Sequence, residues 1–501
     1  MKVYQQSAAA VFWDVDEAPS FVLIDTKESS CPPERLVAPS GNNTGSPEVL
    51  QTAADWHHFC RLNHSKCSSL PTRKPGWIPS RLVDLGQAQD ESWSLIITDD
   101  QAGRLIDAQY ATLSYRWGSK PQALMLKTST LGDFLGGKSI ADLPQTFKDF
   151  IVVARKLGFK YIWIDCLCIM QDCGQDWNHE ASTMRDVYAN SGCNVVACAS
   201  SDPGGGLFRY RNPSDVSPGL VETRLSSGQP QRFVIWDDML EDRNDNVTTL
   251  ADRGWVFQER FLAPRLLSFH GQRISWECCE GRKWEGVSQR FEDSISIMDE
   301  LLASVQQSAE ASYGEMTEAT LNHWGKLVGL YSQCKLTKSE DKLVAFAGVA
   351  KAFQELTGDT YLAGVWRSQL FAQLSWTARE KTSAVQFPKR YRAPSWSWAS
   401  IDSPVWLRLY GKVPDSDVTE YEFADEGRTI LLLHAVSSRD GYWFAADAMI
   451  LLPVNGPGNL YRRIGWANFV PWDPKSPPRD RKSPLDLVLS PRIEKAELVI
   501  V

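Results

Sequence analysis

Three short apolar runs in the middle of the chain constrain its fold more than any other feature. They are Tyr110-Ala111-Thr112-Leu113-Ser114-Tyr115, Tyr161-Ile162-Trp163-Ile164-Asp165 and Cys193-Asn194-Val195-Val196-Ala197-Cys198-Ala199. Each reads as a buried strand, and a helical pattern fills the interval between each pair. Strand, helix, strand, helix, strand requires parallel pairing with right-handed crossovers, so the central part of the chain is expected to be an α/β domain on a parallel sheet. In an open parallel sheet, ligands bind beyond the carboxyl ends of the strands. Here the three ends are polar: Arg116, Asp165 and Ser200-Ser201-Asp202. They make a candidate site drawn from three distant stretches.

The crossover helices carry their own signals. Pro144 precedes the first, Thr146 is its expected cap and Asp149 the acid of a capping box. Phe147, Phe150, Ile151, Ala154 and Leu157 share one face, and Gly158 fits a left-handed stop. The second helix is expected to be capped by Asp176, with Trp177, Ala181, Met184 and Tyr188 as its stripe and Ser191-Gly192 at its end. The turn Asp202-Pro203-Gly204-Gly205-Gly206 has glycines but lacks the Lys and Ser/Thr of a phosphate loop.

A chain of 501 residues holds about two to four domains. Its 43% hydrophobic and 23% charged residues match a globular protein and exclude a disordered one. The 20 tryptophans predict aromatic-rich packing without naming a function. A net charge of −8 gives no global attraction to nucleic acid. Met1 to Ala10 has one Lys and no long apolar core, so it does not read as a secretory signal. No apolar run has the length of a membrane span. The eleven cysteines are odd in number and lack scaffold spacing, so reduced thiols and a cytoplasmic location are expected.

Four regions follow. Residues 1–105 form an extension of short strands and loops, including strands at Ile78 to Leu85 and Trp93 to Ile97. Residues 106–280 hold the α/β domain. It includes an irregular insertion with a strand near Arg232 to Trp236, a helix from Asp252 to Leu262, and strands at Leu266 to Phe269 and Arg273 to Glu277. Residues 281–390 are mostly helical, with a stripe of Leu327, Leu330, Tyr331 and Cys334 and a helix from Asp341 to Phe353. Residues 391–501 are β-rich, with strands at Thr429 to His434 and Glu497 to Val501. The Pro-, Lys- and Arg-rich stretch 474–484 reads as an exposed loop. In the extension, the spacing Cys60-x3-His64-x2-Cys67 offers three zinc ligands. A fourth is not obvious, although His57, His58 and Cys31 are available. The simpler reading is a short helix whose Cys and His pack without metal, so no metal is expected.

Several blocks together resemble one family. Leu113-Ser114-Tyr115-Arg116-Trp117-Gly118 is the first. Leu143-Pro144 through Tyr161-Ile162-Trp163-Ile164-Asp165-Cys166-Leu167-Cys168-Ile169 is the second, and Arg253-Gly254-Trp255-Val256-Phe257-Gln258-Glu259-Arg260 the third. Asp176-Trp177, Met184, Val187-Tyr188 and the later Pro394-Ser395-Trp396-Ser397-Trp398 fit the same pattern. In order and spacing they resemble the heterokaryon incompatibility (HET) domain, over about residues 108 to 280. Arg116 departs from the Cys or Val frequent in that family, at a position that varies.

The resemblance implies a fungal protein that triggers cell death when incompatible cells fuse. Some relatives have no assigned role, and some sit beside biosynthetic genes. The HET domain is similar to the TIR domain, which implies a flavodoxin-like, TIR-like sheet. TIR domains open with a strand ending in Ser-Tyr-Arg, as Ser114-Tyr115-Arg116 does. Many carry a Trp-Cys-x-x-Glu whose Glu serves in cleaving NAD; Trp255-Val256-Phe257-Gln258-Glu259 has that shape, with Val256 in place of Cys.

That resemblance makes Glu259 the candidate catalytic residue of an NAD hydrolase. Cleaving nicotinamide from ribose develops positive charge on the sugar, and a fixed carboxylate stabilises it. Arg116 is suited to a phosphate and Trp117 to stacking on a flat ring. Ser114, Tyr115, Gly118, Asp165, Trp255 and Gln258 complete the candidate binding set. No cofactor is required, and NAD would be the substrate. The bland alternative pairs Glu259 with Arg253 or Arg260 and buries Trp117 and Trp255 as core. A thiol reading uses Cys166 or Cys168 with His179 as base. A third reading is a non-enzymatic module that signals by self-association or with another incompatibility protein. A fourth is a biosynthetic enzyme using the same strand-end pocket.

Overall fold

The computed structural model describes residues 41–98, 105, 108–119, 124–217, 250–286, 314–374, 376–379 and 385–407, together with strands at 2–6, 9–13, 21–25, 219–224, 230–237, 430–437, 444–453, 460–469 and 499–500. Cys31 and the stretch 474–484 lie outside the described residues. The chain divides into two compact units, residues 1–300 and 301–501.

The first unit opens with β1 (Lys2–Gln6), β2 (Ala9–Trp13), β3 (Phe21–Asp25) and helix α1 (Pro47–Asn63). Then come β4 (Arg81–Asp84), β5 (Ser92–Ile97), β6 (Tyr110–Ser114), α2 (Leu131–Gly136), β7 (Lys138–Ser139) and α3 (Gln145–Lys156). Next are β8 (Tyr161–Trp163), α4 (Asp165–Cys168), α5 (Gly174–Asn190), β9 (Cys193–Ala197), β10 (Gly219–Arg224) and β11 (Pro230–Asp237). The unit's last described elements are α6 (Gly254–Leu262), β12 (Arg265–Phe269), β13 (Ile274–Cys278) and β14 (Gly281–Trp284).

One nine-stranded sheet runs β14-β13-β12-β9-β6-β8-β4-β5-β7. Its middle, β12-β9-β6-β8, is parallel throughout. Counted along the chain, those four strands lie in the order 2-1-3-4, that of flavodoxin-like doubly wound sheets. β6 and β9 are buried at every residue, as strands covered on both faces must be. The edges are antiparallel: β4 pairs with β8, and β13 with β12. Thus β4 and β5, expected only to lead into the domain, complete its sheet. A second, antiparallel sheet, β1-β2-β3-β11-β10, joins the start of the chain to the insertion after β9.

Alternation along β6 assigns the faces. The Tyr110 hydroxyl donates to the Val187 carbonyl of α5 at 2.6 Å, whereas Tyr115 meets Phe147 of α3 edge-on at 5.1 Å between ring centroids. α5 packs against α6, and Val256 of α6 clusters with Val196 of β9 and Leu266 of β12. So α5 and α6 cover the face that carries Thr112 and Ser114.

The expected helix starts are corrected. α3 begins at Gln145 with Pro144 as its N-cap. The Thr146 hydroxyl instead accepts from Gly206 N at 3.0 Å. Asp149 accepts from Leu207 N at 2.7 Å and Phe208 N at 3.3 Å, so no capping box forms. The glycine turn is therefore docked on the start of α3, a structural use of its backbone donors. α5 begins two residues before Asp176, with Cys173 as N-cap. Both Asp176 oxygens instead accept from Arg81 Nη2 at 2.7 Å, and one also accepts from Met170 N at 2.8 Å. Gly158 does supply the left-handed residue after α3, at φ 86°.

The second unit contains α7 (Glu318–Tyr331), α8 (Ala347–Thr357), the pairs β15 (Tyr361–Leu362) with β16 (Val365–Trp366) and β17 (Thr377–Ala378) with β18 (Val405–Trp406), and a sheet of β19 (Ile430–Ser437), β20 (Phe444–Pro453), β21 (Leu460–Phe469) and β22 (Val499–Ile500). The helix expected from Asp341 starts only at Ala347. Residues Ser339–Lys342 form a 3-10 turn instead, and the Tyr331 hydroxyl donates to the Lys342 carbonyl at 2.6 Å. Leu330, expected in the buried stripe, is exposed, and Cys334 lies past the end of α7. Several of the described tryptophans serve as core, although Trp406 is exposed. Trp324, Trp366 and Trp398 are fully buried, and the Trp398 indole N–H donates to the Gly364 carbonyl at 2.7 Å.

Candidate functional site

Ser114 is the last residue of β6, so its side chain is set by the pleat of a strand buried on both faces. Its hydroxyl donates to the Glu259 carboxyl of α6. Asn194 of β9 donates to the same hydroxyl oxygen through Nδ2 at 2.9 Å, and Thr112 Oγ1 donates to Asn194 Oδ1 at 3.1 Å. The Tyr188 hydroxyl of α5 also bonds the Glu259 carboxyl. Glu259 is 7% exposed. Among the described residues it forms no ion pair with Arg253 or Arg260; the Arg253 guanidinium donates to the Tyr115 carbonyl at 3.1 Å.

Burial dominates the electrostatics of this carboxyl and pushes it up to about 7, from 4.5. The Ser114 hydrogen bond pulls it down, the charge of Asp165 pushes it up, and Arg253 and Tyr188 pull it down. A carboxyl there can change protonation state near neutral pH.

Asp165 does not end a strand. β8 stops at Trp163, and Asp165 is the first residue of α4. Its carboxylate accepts from the Tyr115 hydroxyl at 2.8 Å, from Trp117 Nε1 at 2.6 Å and from Cys166 N at 2.6 Å. Burial raises its pKa, and those three donors oppose the rise. Asp165 thereby holds the loop leaving β6 from both sides of Arg116. Trp117 is half-buried, and its N–H is committed to Asp165. Gly118 lies in the left-handed region at φ 75°, and a Cβ there would stand 2.7 Å from Asp202 Cβ. The loops after β6 and β9 therefore touch at Gly118 and Asp202.

The structure thus brings together Ser114, Tyr115, Trp117, Asp165 and Glu259. Arg116 is half-buried in the same loop. Gln258 is buried, and half-buried Trp255 meets Trp177 edge-on at 6.3 Å. Sequence reasoning missed Tyr188 as a partner of Glu259 and Asn194 as a partner of Ser114. Tyr188 had been placed in a helical stripe, and a polar residue inside the apolar run Cys193 to Ala199 was the available signal for Asn194.

Residues 110–259 match the family model described as heterokaryon incompatibility protein (HET). The chain carries a HET domain. The match starts at the first residue of β6 and ends at Glu259 itself, so it spans the strands and helices that build this site. The nine-stranded sheet extends beyond it on both sides. A heterokaryon incompatibility-type function is supported by this match. No curated protein and no solved structure matches the chain.

The thiol reading is disfavoured around the HET domain's α4. Cys166 and Cys168 are fully buried. Burial pushes the Cys166 thiol well up and the Cys168 thiol up to about 12, the reverse of what a thiolate nucleophile needs. His179 is exposed on α5. Among the described residues no helix is long and apolar enough to cross a membrane. A cavity of about 460 Å³ lies at the amino ends of β6 and β9, away from Glu259, lined by Arg61, Arg73, Lys74 and Arg265 among others.

Proposed function

We propose that the HET domain cleaves NAD at the bond between nicotinamide and ribose, as the chemical step of an incompatibility or cell-death response. The observation that carries this reading is the buried Glu259 carboxyl, held by the Ser114 and Tyr188 hydroxyls at the carboxyl end of β6. That end faces the place where the parallel order turns back between β6 and β9, the customary ligand position in such sheets.

The chemistry fits a single carboxyl. As the glycosidic bond breaks, its electron pair leaves with nicotinamide, and the ribose carbon takes on positive charge. A carboxylate beside it stabilises that charge. Water then forms the new C–O bond and releases a proton, leaving ADP-ribose. The nicotinamide ring of NAD is already cationic. Its arrival favours the ionised form of a carboxyl that stands near 7. In this reading Arg116 meets a phosphate, and Trp117, fixed through its N–H by Asp165, offers its ring face to a base.

The test is release of nicotinamide from NAD by the purified full chain and by Glu259→Gln at matched thermal stability. Release by the wild type and its loss in the variant support the reading. No release by the wild type sinks it, and leaves a self-associating module or a biosynthetic enzyme acting on another substrate. Equal release by both proteins removes Glu259 from the chemistry.

A further inference from the structure

We infer that Cys60, His64, Cys67 and Cys278 form a four-ligand structural zinc site, which fastens the segment before the HET domain to the antiparallel edge of its sheet. The spacing of the first three residues left a fourth ligand wanting. The fold supplies it from the last residue of β13, far along the chain.

The distances suit a four-ligand set. One ligand atom from each of the four residues lies within 4.8 Å of every other. His64 Nδ1 stands 3.3 Å from Cys278 Sγ. With Zn–S near 2.3 Å and Zn–N near 2.0 Å, the edges of such a tetrahedron are about 3.5 to 3.8 Å. Closing on a metal therefore asks for shifts of about an ångström or less.

Local structure explains how the ligands meet. Cys60 lies in the last turn of α1 and His64 is its C-cap, so the two stand four residues apart on one side of the helix end. Cys67 follows in a turn closed by Ser68 N on the Ser65 carbonyl at 3.1 Å. Lys66 N donates to Glu280 Oε1 at 2.7 Å, holding that turn against the corner between β13 and β14. The three thiols are buried and His64 is half-buried. Four protein ligands leave no open position, which makes the site structural and not catalytic. A thiolate-rich tetrahedral set selects zinc over hard cations such as magnesium or calcium.

A second observation concerns charge. Arg265 is 3% exposed. Its Nε donates to Cys60 Sγ at 3.1 Å, with longer contacts to the Gly192 carbonyl and the Ser68 hydroxyl. Among the described residues none of its partners is a carboxylate. A buried guanidinium without a counter-charge is costly. Zinc with three thiolates and a neutral imidazole carries one negative charge, which Arg265 balances from outside the ligand shell. On binding, each thiol loses its proton to solvent as its S–Zn bond forms, so binding is favoured as pH rises.

The experiment is metal analysis of the full-length protein purified from zinc-supplemented cells without chelator. About one zinc per chain is expected, released in step with modification of the thiols by a mercurial reagent. Cys278→Ser should lower the content about tenfold or more, while Cys173→Ser, away from the cluster, should leave it unchanged. If Cys278→Ser fails to fold, cobalt substitution of the wild type gives the same answer. A bound cobalt ion should show the strong visible bands of a tetrahedral, thiolate-rich site. Wild-type protein with less than about a tenth of an equivalent of zinc, a disulfide among Cys60, Cys67 and Cys278, or cobalt bands of an octahedral oxygen site would each overturn the proposal.

Discussion

Ser114 gives its hydroxyl proton to Glu259 across 145 residues of sequence. That bond joins the first strand of the HET match to its last matched residue. It holds the carboxyl to a strand buried on both faces, through a hydroxyl that Asn194 also bonds. Glu259 is therefore held in one position at a strand end, which is what electrostatic stabilisation of a transition state requires.

Glu259→Gln should lower nicotinamide release by about 10² or more while the fold is kept. Gln retains an acceptor oxygen for Ser114 and close to the same volume, but it cannot carry the charge. Initial rates of the two proteins, taken with their melting curves, check this. A variant that melts normally and turns over like the wild type would contradict it.

The pH profile follows from burial. Glu259 titrates at about 7 in the folded state against 4.5 unfolded. kcat/KM should therefore rise with pH through about 7, as the carboxylate form accumulates. Stability should move the other way. Below 4.5 both states hold the proton; between 4.5 and 7 only the folded state does, so stability falls as pH rises across that window. The change attributable to this group is about 3–4 kcal/mol at most. Thermal unfolding of wild type and Glu259→Gln across the window should show a steeper fall in the wild type.

Asp165→Asn should loosen the loop around Arg116. The Tyr115 hydroxyl and the Trp117 indole donate to different oxygens of Asp165, and an amide offers only one. One donor is left unsatisfied, at a cost of about 1–3 kcal/mol. Trp117→Phe removes a donor instead of an acceptor and should not orphan the Tyr115 hydroxyl. Loss of the Asp165 charge also removes one cause of the raised Glu259 pKa, so the midpoint of the activity profile should move below that of the wild type. Chemical denaturation and rate measurements on the two variants separate these effects.

Two glycines distinguish strain from crowding. Gly158 has φ 86° with nothing near an added Cβ, whereas Gly118 has φ 75° and would bring a Cβ to 2.7 Å from Asp202 Cβ. Gly158→Ala should cost about 1–2 kcal/mol, the left-handed penalty alone. Gly118→Ala should cost more and should also reduce activity, because it pushes apart the loops after β6 and β9. Melting temperatures in which Gly158→Ala is the worse of the pair would contradict this account.

The sequence by itself determined the parallel strands, the crossover helices between them and the resemblance to the HET domain, whose family model matches residues 110–259. Hydrophobic period and turn residues act over a few positions, and these features are local. It also singled out Asp165, because a polar residue ending an apolar run stands out in a linear reading, and Ser114 and Glu259 through the motifs that resemble the HET and TIR domains. Only the tertiary structure decided what these residues touch. Asp149 and Asp176 look like helix caps in sequence, yet each is spent on distant partners, the turn after Gly206 and Arg81. Local capping energies are about 1 kcal/mol, and a buried carboxylate with several long-range donors outweighs them. Tyr188 reads as one more apolar position of a stripe until packing turns its hydroxyl toward Glu259. Cys278 carries no signal at all until two hundred intervening residues fold and bring it to Cys60, His64 and Cys67. Pairings of that kind depend on the whole chain's path, which no local spacing records.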